Sequence, residues 1–116
     1  MAQRILISSD WGDVEAELAD NDAARSLACM LPLTIEMNDH LRQEKAGHLS
    51  SPLPEFGRQC AFASGMLGLW SFNHFVIYYR DGRVPSRGIV VLGQIRGDAS
   101  IFDRPGSIIV RIERIG

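Results

Sequence analysis

Apolar and polar positions alternate along much of this chain, and clusters of turn-forming residues interrupt the alternation at short intervals. Arg4 to Ser8 and Asp13 to Ala19 are β-like runs, joined by Ser9-Asp10-Trp11-Gly12, which reads as a hairpin connection. In the second run Val14, Ala16 and Leu18 alternate with Asp13, Glu15 and Glu17. A period of two turns the apolar set toward a core and lines the three carboxylates along a solvent-facing row. That row lacks the convergent cage a cation needs, so it is read as a solvated strand face.

The period then changes. Asp20-Asn21-Asp22 supplies cap side chains and negative charge for the first turn of a helix, and Ala24, Leu27, Ala28 and Leu31 follow at i, i+3, i+4 and i+7. Pro32 ends the pattern, so a helix over about residues 21–31 is expected to lie across a sheet. Leu33 to Met37 looks like a strand. Asn38 to Gly57 is a long polar excursion broken by Gly47, Pro52 and Pro54. Strand patterns return at Met66 to Phe72, at Phe75 to Arg80 before an Asp81-Gly82 turn, and at Ile89 to Ile95 after Arg87-Gly88. In the closing run, Ser107 to Ile115, Ile108, Val110 and Ile112 alternate with Arg111 and Glu113. Seven or eight short strands with one helix predict a mostly β fold, a closed or nearly closed barrel.

The 116 residues suit one domain and no second. Twelve basic residues are scattered along a chain of net charge -2, without the positive stripe that nucleic acid requires. The apolar run after Met1-Ala2-Gln3-Arg4 is too short for a signal peptide, and no run approaches a bilayer span of about eighteen residues, so the expected setting is cytoplasmic, without membrane partners. Cys29, inside the predicted helix, and Cys60, before a predicted strand, are read as small buried apolar residues.

Several segments together resemble the small stand-alone cyclophilin-like proteins of bacteria and archaea. They are the acidic alternation, cap and Ala-rich helix ending in Met30 to Thr34 (MLPLT), Asn38 to Leu49 (NDHLRQEKAGHL), Gly65 to Trp70 (GMLGLW), Phe75 to Tyr79 (FVIYY), Leu92 to Asp98 (LGQIRGD) and Ile108 to Glu113 (IIVRIE). Order and spacing across nearly the whole chain carry the resemblance. It implies a cyclophilin-like β-barrel of about eight strands with one capping helix, and it implies no established activity. The Phe-His-Arg signature of the larger prolyl isomerases is missing, which points away from typical isomerase catalysis.

Of the chemical constellations, His40, Glu44 and His48 recur at four-residue intervals, which on a helix would stack them on one face. Gly47 and the loop-and-strand reading of the segment weaken that premise, and no metal site is assigned. Ser64 and Ser71 lack a nucleophile-elbow context. The dispersed glycines form no phosphate loop, so no cofactor is implied. The densest cluster is Trp70-Ser71-Phe72-Asn73-His74 between two predicted strands. With His40, Arg87 and the strand residue Gln94, Trp70 and His74 are the candidate rim of a site for a small molecule or peptide. The function expected is a binding module. A weak prolyl isomerase or small enzyme using a rim histidine, and an interaction or assembly subunit with an exposed strand edge, are the alternatives. Ligand identity, oligomeric state and whether the barrel is filled or hollow stay open.

Overall fold

The computed structural model describes residues 3–55, 57–84 and 88–115. The strands are β1 (Arg4–Ser9), β2 (Gly12–Leu18), β3 (Leu33–His40), β4 (Glu44–His48), β5 (Arg58–Gln59), β6 (Ala61–Phe62), β7 (Met66–Leu69), β8 (His74–Tyr78), β9 (Gly82–Arg83), β10 (Ile89–Arg96) and β11 (Ile108–Arg114). Helix α1 (Asp22–Cys29) follows β2, and a 3-10 turn (Ala99–Phe102) follows β10. Neighbouring strands run antiparallel in the order β2-β1-β11-β3-β4-β8-β7-β10, and β10 pairs with β2 to close the barrel.

Alternation decides what enters the barrel. Ile5 and Ile7 of β1, Ala16 of β2, Met37 of β3, Leu67 and Leu69 of β7, Phe75 and Ile77 of β8 and Val110 and Ile112 of β11 are all fully buried in one cluster. An eight-stranded barrel has a lumen just wide enough for side chains or one small ligand. Here the lumen is filled with side chains. The carboxylates of Asp13 and Glu15 point outward as expected, with Glu17 half-buried on the same row.

The seam between β2 and β10 depends on a glycine. Gly93 pairs with Leu18 on one side and Leu67 on the other, next to a bulge after Val91. A Cβ there would run into the Glu17 carbonyl and come within 3.1 Å of the Leu18 backbone.

Helix α1 seals one end. Asn21 has extended backbone, and its Oδ1 accepts from the Ala24 amide at 2.8 Å, while its Nδ2 donates to the Val91 carbonyl at 2.8 Å. One residue thus caps the helix and ties it to β10. At the far terminus Arg114 donates to the Ala28 carbonyl through Nε at 3.2 Å and Nη2 at 2.7 Å, where cations suit the helix dipole. The helix stops at Cys29, earlier than the sequence pattern suggests, because Leu31 precedes Pro32 and is steered away from helical backbone. Cys29 is consequently exposed and Cys60 half-buried, so neither is the buried apolar residue expected.

The opposite end is closed by charge. Lys45 is fully buried, and its ammonium donates to Asp39 Oδ1 at 2.9 Å, to the Gly106 carbonyl at 2.9 Å and to the Arg104 carbonyl, using all three donors. The Trp11 ring lies 4.9 Å from Nζ. The Tyr79 hydroxyl donates to Asp39 at 2.5 Å and accepts from Arg42 at 2.7 Å, and Arg42 reaches Asp103 at 2.8 Å. Burial alone would raise the Asp39 carboxyl, but hydrogen bonds from Tyr79 and Lys45 and the charges of Lys45 and Arg42 hold it below the ordinary carboxylate range.

Much of the expected excursion from Asn38 to Gly57 is therefore regular. β3 runs on to His40, turns through Leu41 and Arg42, both at positive φ, and returns as β4. The polarity that disguised it belongs to the charged plug. Replacing Gly93 by Ala is expected to destabilise the protein by about 1–3 kcal/mol, because the added methyl overpacks the seam. Denaturant unfolding checks this, with an unchanged midpoint as the contrary result.

Candidate functional site

The β7–β8 turn carries two large apolar side chains into solvent. Trp70 is 47% exposed and Phe72 is 62% exposed. Phe72 has φ of 53°, a left-handed conformation that costs a bulky L-residue about 1 kcal/mol or more. The surroundings hold it there. The Phe72 amide donates to Glu55 Oε1 at 2.7 Å, and its carbonyl accepts from the Leu53 amide at 3.0 Å. Arg58 joins Glu55 in an ion pair and donates to the Trp70 carbonyl at 3.1 Å and the Gly88 carbonyl at 2.7 Å. Asn73 Nδ2 donates to the Leu49 carbonyl at 2.9 Å, and the Leu49 amide donates back to the Asn73 carbonyl at 2.8 Å. The turn is thus fastened to the 49–58 segment at several points, with its aromatic side chains left outside.

Beneath the turn, the His74 ring meets Trp70 in a T-shape at 5.7 Å and packs against His48 at 4.2 Å. His48 stands directly opposite His74 across β4 and β8. The residues Pro54 and Gly57, either side of the Glu55 anchor, border a groove of about 330 Å³ with Asn21, Asp22, Ala23 and Arg25 of the helix end.

The sequence candidates divide. Trp70 and His74 come together. Gln94 lies opposite Met66, four residues down β7 from Trp70, so roughly 13 Å away along the strand, and its Nε2 donates to the Ser64 carbonyl at 3.3 Å. His40 ends β3 opposite Glu44, at the charged end of the barrel, while His48 ends β4 a similar roughly 13 Å from Glu44. The helical stacking of His40, Glu44 and His48 is thus replaced by a hairpin. Among the described residues no group of three or more His, Cys, Asp or Glu converges on a point. Arg87 lies outside the described residues. Arg58 and Glu55 were not singled out by sequence, while Phe72 was read only as part of the aromatic stretch and His48 only in its spacing from His40 and Glu44. His48 and His74 are 26 positions apart, and only strand register joins them.

A buried polar pair lies further along the same outer wall. Glu44 is 4% exposed and faces Tyr78, which is fully buried and whose hydroxyl has no hydrogen-bond partner among the described residues. Phe62 of β6, which pairs with β9 in a separate two-stranded sheet, stacks on Tyr78 at 3.9 Å. Burial pushes the Glu44 carboxyl above its ordinary range, against a hydrogen bond from Gln43 and the charge of His40. Burial, with the Glu44 charge behind it, also raises the Tyr78 hydroxyl.

A model of the Cyclophilin-like family matches residues 7–113. The chain belongs to that family. Its cyclophilin-like barrel is also that of a solved structure, "Solution structure of the hypothetical protein AF2241 from Archaeoglobus fulgidus", with a TM-score of 0.77 over 98% of this chain and 95% of that one, at 17% identity. That likeness shows the fold alone. No curated protein matches. Among the described residues no helix is long and apolar enough to cross a membrane.

The Glu44 environment yields a pH test. Its folded-state value lies above its unfolded value, so its contribution to stability is full below the ordinary carboxylate range and is lost as pH rises through the raised value. Glu44→Gln is therefore expected to raise the melting temperature relative to the parent at pH about 8 and to lose that advantage at pH about 4. Paired thermal melts across this range check it; a difference that does not change with pH contradicts it.

Proposed function

We propose that this cyclophilin-like barrel is a peptide-binding module that recognises an apolar segment of a partner through Trp70 and Phe72. The observation that carries the reading is the pinned, left-handed Phe72, 62% exposed beside the 47% exposed Trp70. A backbone outlier held by several hydrogen bonds, with a large apolar side chain left in water, is a cost that recognition of a partner explains. Rigid aromatic anchors lose little conformational entropy on binding, so they suit hot spots.

Two further observations support this reading over its alternatives. The lumen is filled by side chains, which moves recognition to the outside. Among the described residues, closure of the barrel also leaves only two-residue strands, β5, β6 and β9, outside the closed cycle, which offers little to a docking strand. The groove between Pro54 and the start of α1 lies one residue from the Glu55 anchor and gives a second side chain of the same peptide a place to sit.

Peptide-library selection against the full chain tests the proposal, followed by fluorescence titration in a Trp11→Phe background that leaves Trp70 as the reporting indole. Selected apolar peptides are expected to change Trp70 emission, and Phe72→Ala is expected to weaken binding by about 2 kcal/mol or more with little change in melting temperature. Selected peptides that bind Phe72→Ala as tightly as the parent would refute the assignment.

A further inference from the structure

The cross-strand histidines have a geometry that packing alone does not require. The Leu49 amide bonds to the Asn73 carbonyl, which makes 49 and 73 a hydrogen-bonded pair of the ladder. The adjacent pair, His48 and His74, is then the non-hydrogen-bonded kind, in which facing side chains come closest. His74 turns its own backbone the other way, donating to the Ser71 carbonyl at 2.6 Å and accepting from the Trp70 amide at 3.0 Å. The two rings meet at 4.2 Å between centroids with an interplanar angle of 54°, tilted rather than stacked.

Among the described residues the polar atoms of these rings have no hydrogen-bond partner: Nδ1 of His74 is buried without one, and His48, exposed at the end of its strand, makes no side-chain hydrogen bond. A buried imidazole nitrogen left unsatisfied costs stability, so such a group calls for an explanation. Neutral imidazole nitrogens are the commonest metal ligands.

We infer that His48 and His74 chelate one divalent transition-metal ion, such as Zn(II), on the outer wall of the barrel, each giving one ring nitrogen. A tetrahedral ion with metal–nitrogen bonds of about 2.0–2.1 Å holds two imidazole centres roughly 5.2 Å apart, against 4.2 Å here, so the exposed His48 ring moves outward by about 1 Å. Trp70 packs T-shaped against His74 at 5.7 Å, and water or a ligand completes the coordination of the ion. Imidazole donors select zinc, copper or nickel over magnesium and calcium. This site goes beyond the peptide reading and does not rest on it, since His48 has no part in the aromatic tip.

The test is titration of the full chain with Zn(II) alone, followed by calorimetry and by NMR of the histidine ring protons. One ion per chain is expected, with the His48 and His74 signals shifting together and those of His40 unmoved. His48→Ala and His74→Ala are each expected to weaken binding roughly tenfold or more, because the second ligand acts at high effective concentration, while His40→Ala leaves it unchanged. His48 is exposed, so its replacement keeps the test decisive even where His74→Ala does not fold. Binding to His48→Ala as tight as to the parent, an equal loss in His40→Ala, or no heat and no ring shifts up to millimolar Zn(II) overturns the inference. Peptide binding measured in the presence of a chelator separates this result from the fate of the peptide reading.

Discussion

The pairing of β2 with β10 at Gly93 is the constraint on which the rest of the structure depends. A barrel of eight strands closes only if its last seam pairs, and here that seam needs a backbone without a side chain where Gly93 meets the Glu17 carbonyl and the Leu18 backbone. Once it closes, the inward-facing residues of every strand are forced into one lumen, and the apolar alternation of β1, β2, β8 and β11 fills it. A filled lumen is stable because it is close-packed. Under the proposed peptide reading, it also moves recognition out onto the rims and outer wall.

The two ends are sealed by different physics. At one, α1 buries Ala23, Ala24, Leu27 and Ala28, held by Asn21 at its start and Arg114 at its end. At the other, a fully buried ammonium would be very costly unless paired, and Lys45 has one carboxylate and two carbonyls around it. The aromatic turn lies beside the helix end, because β4 finishes and β8 begins there. Its exposed side chains are consequently held by a barrel wall on one side and by the 49–58 segment on the other.

Sequence disclosed the parts whose pattern is local. Val14, Ala16 and Leu18 declare a half-buried strand by themselves, and Asn21 followed by Ala24, Leu27 and Ala28 declares a capped helix. β4 escaped, because its inward positions are Lys45 and Gly47 rather than two apolar residues, and a buried lysine makes sense only once Asp39 and the 104–106 backbone are beside it. The short strands β5, β6 and β9 carry too few residues to show a period. At the site, Trp70 and His74 were legible as a dense aromatic stretch, whereas His48 required the β4–β8 register and Phe72 required its backbone angle. Gln94 and His40 were chemically suggestive, but β7 and β4 set each of them roughly 13 Å along the wall from that aromatic turn.

The central claim, that recognition takes place at the outer aromatic turn of a filled barrel, is tested most directly by mapping amide shifts of isotopically labelled protein while a selected apolar peptide is added. The account predicts shifts concentrated at Trp70 to His74 and along Leu53 to Arg58, with the inward-facing residues of β1 and β11 little changed. Shifts centred on Ile5, Ile7, Val110 and Ile112 instead would mean that the lumen opens to take the ligand, and would contradict it.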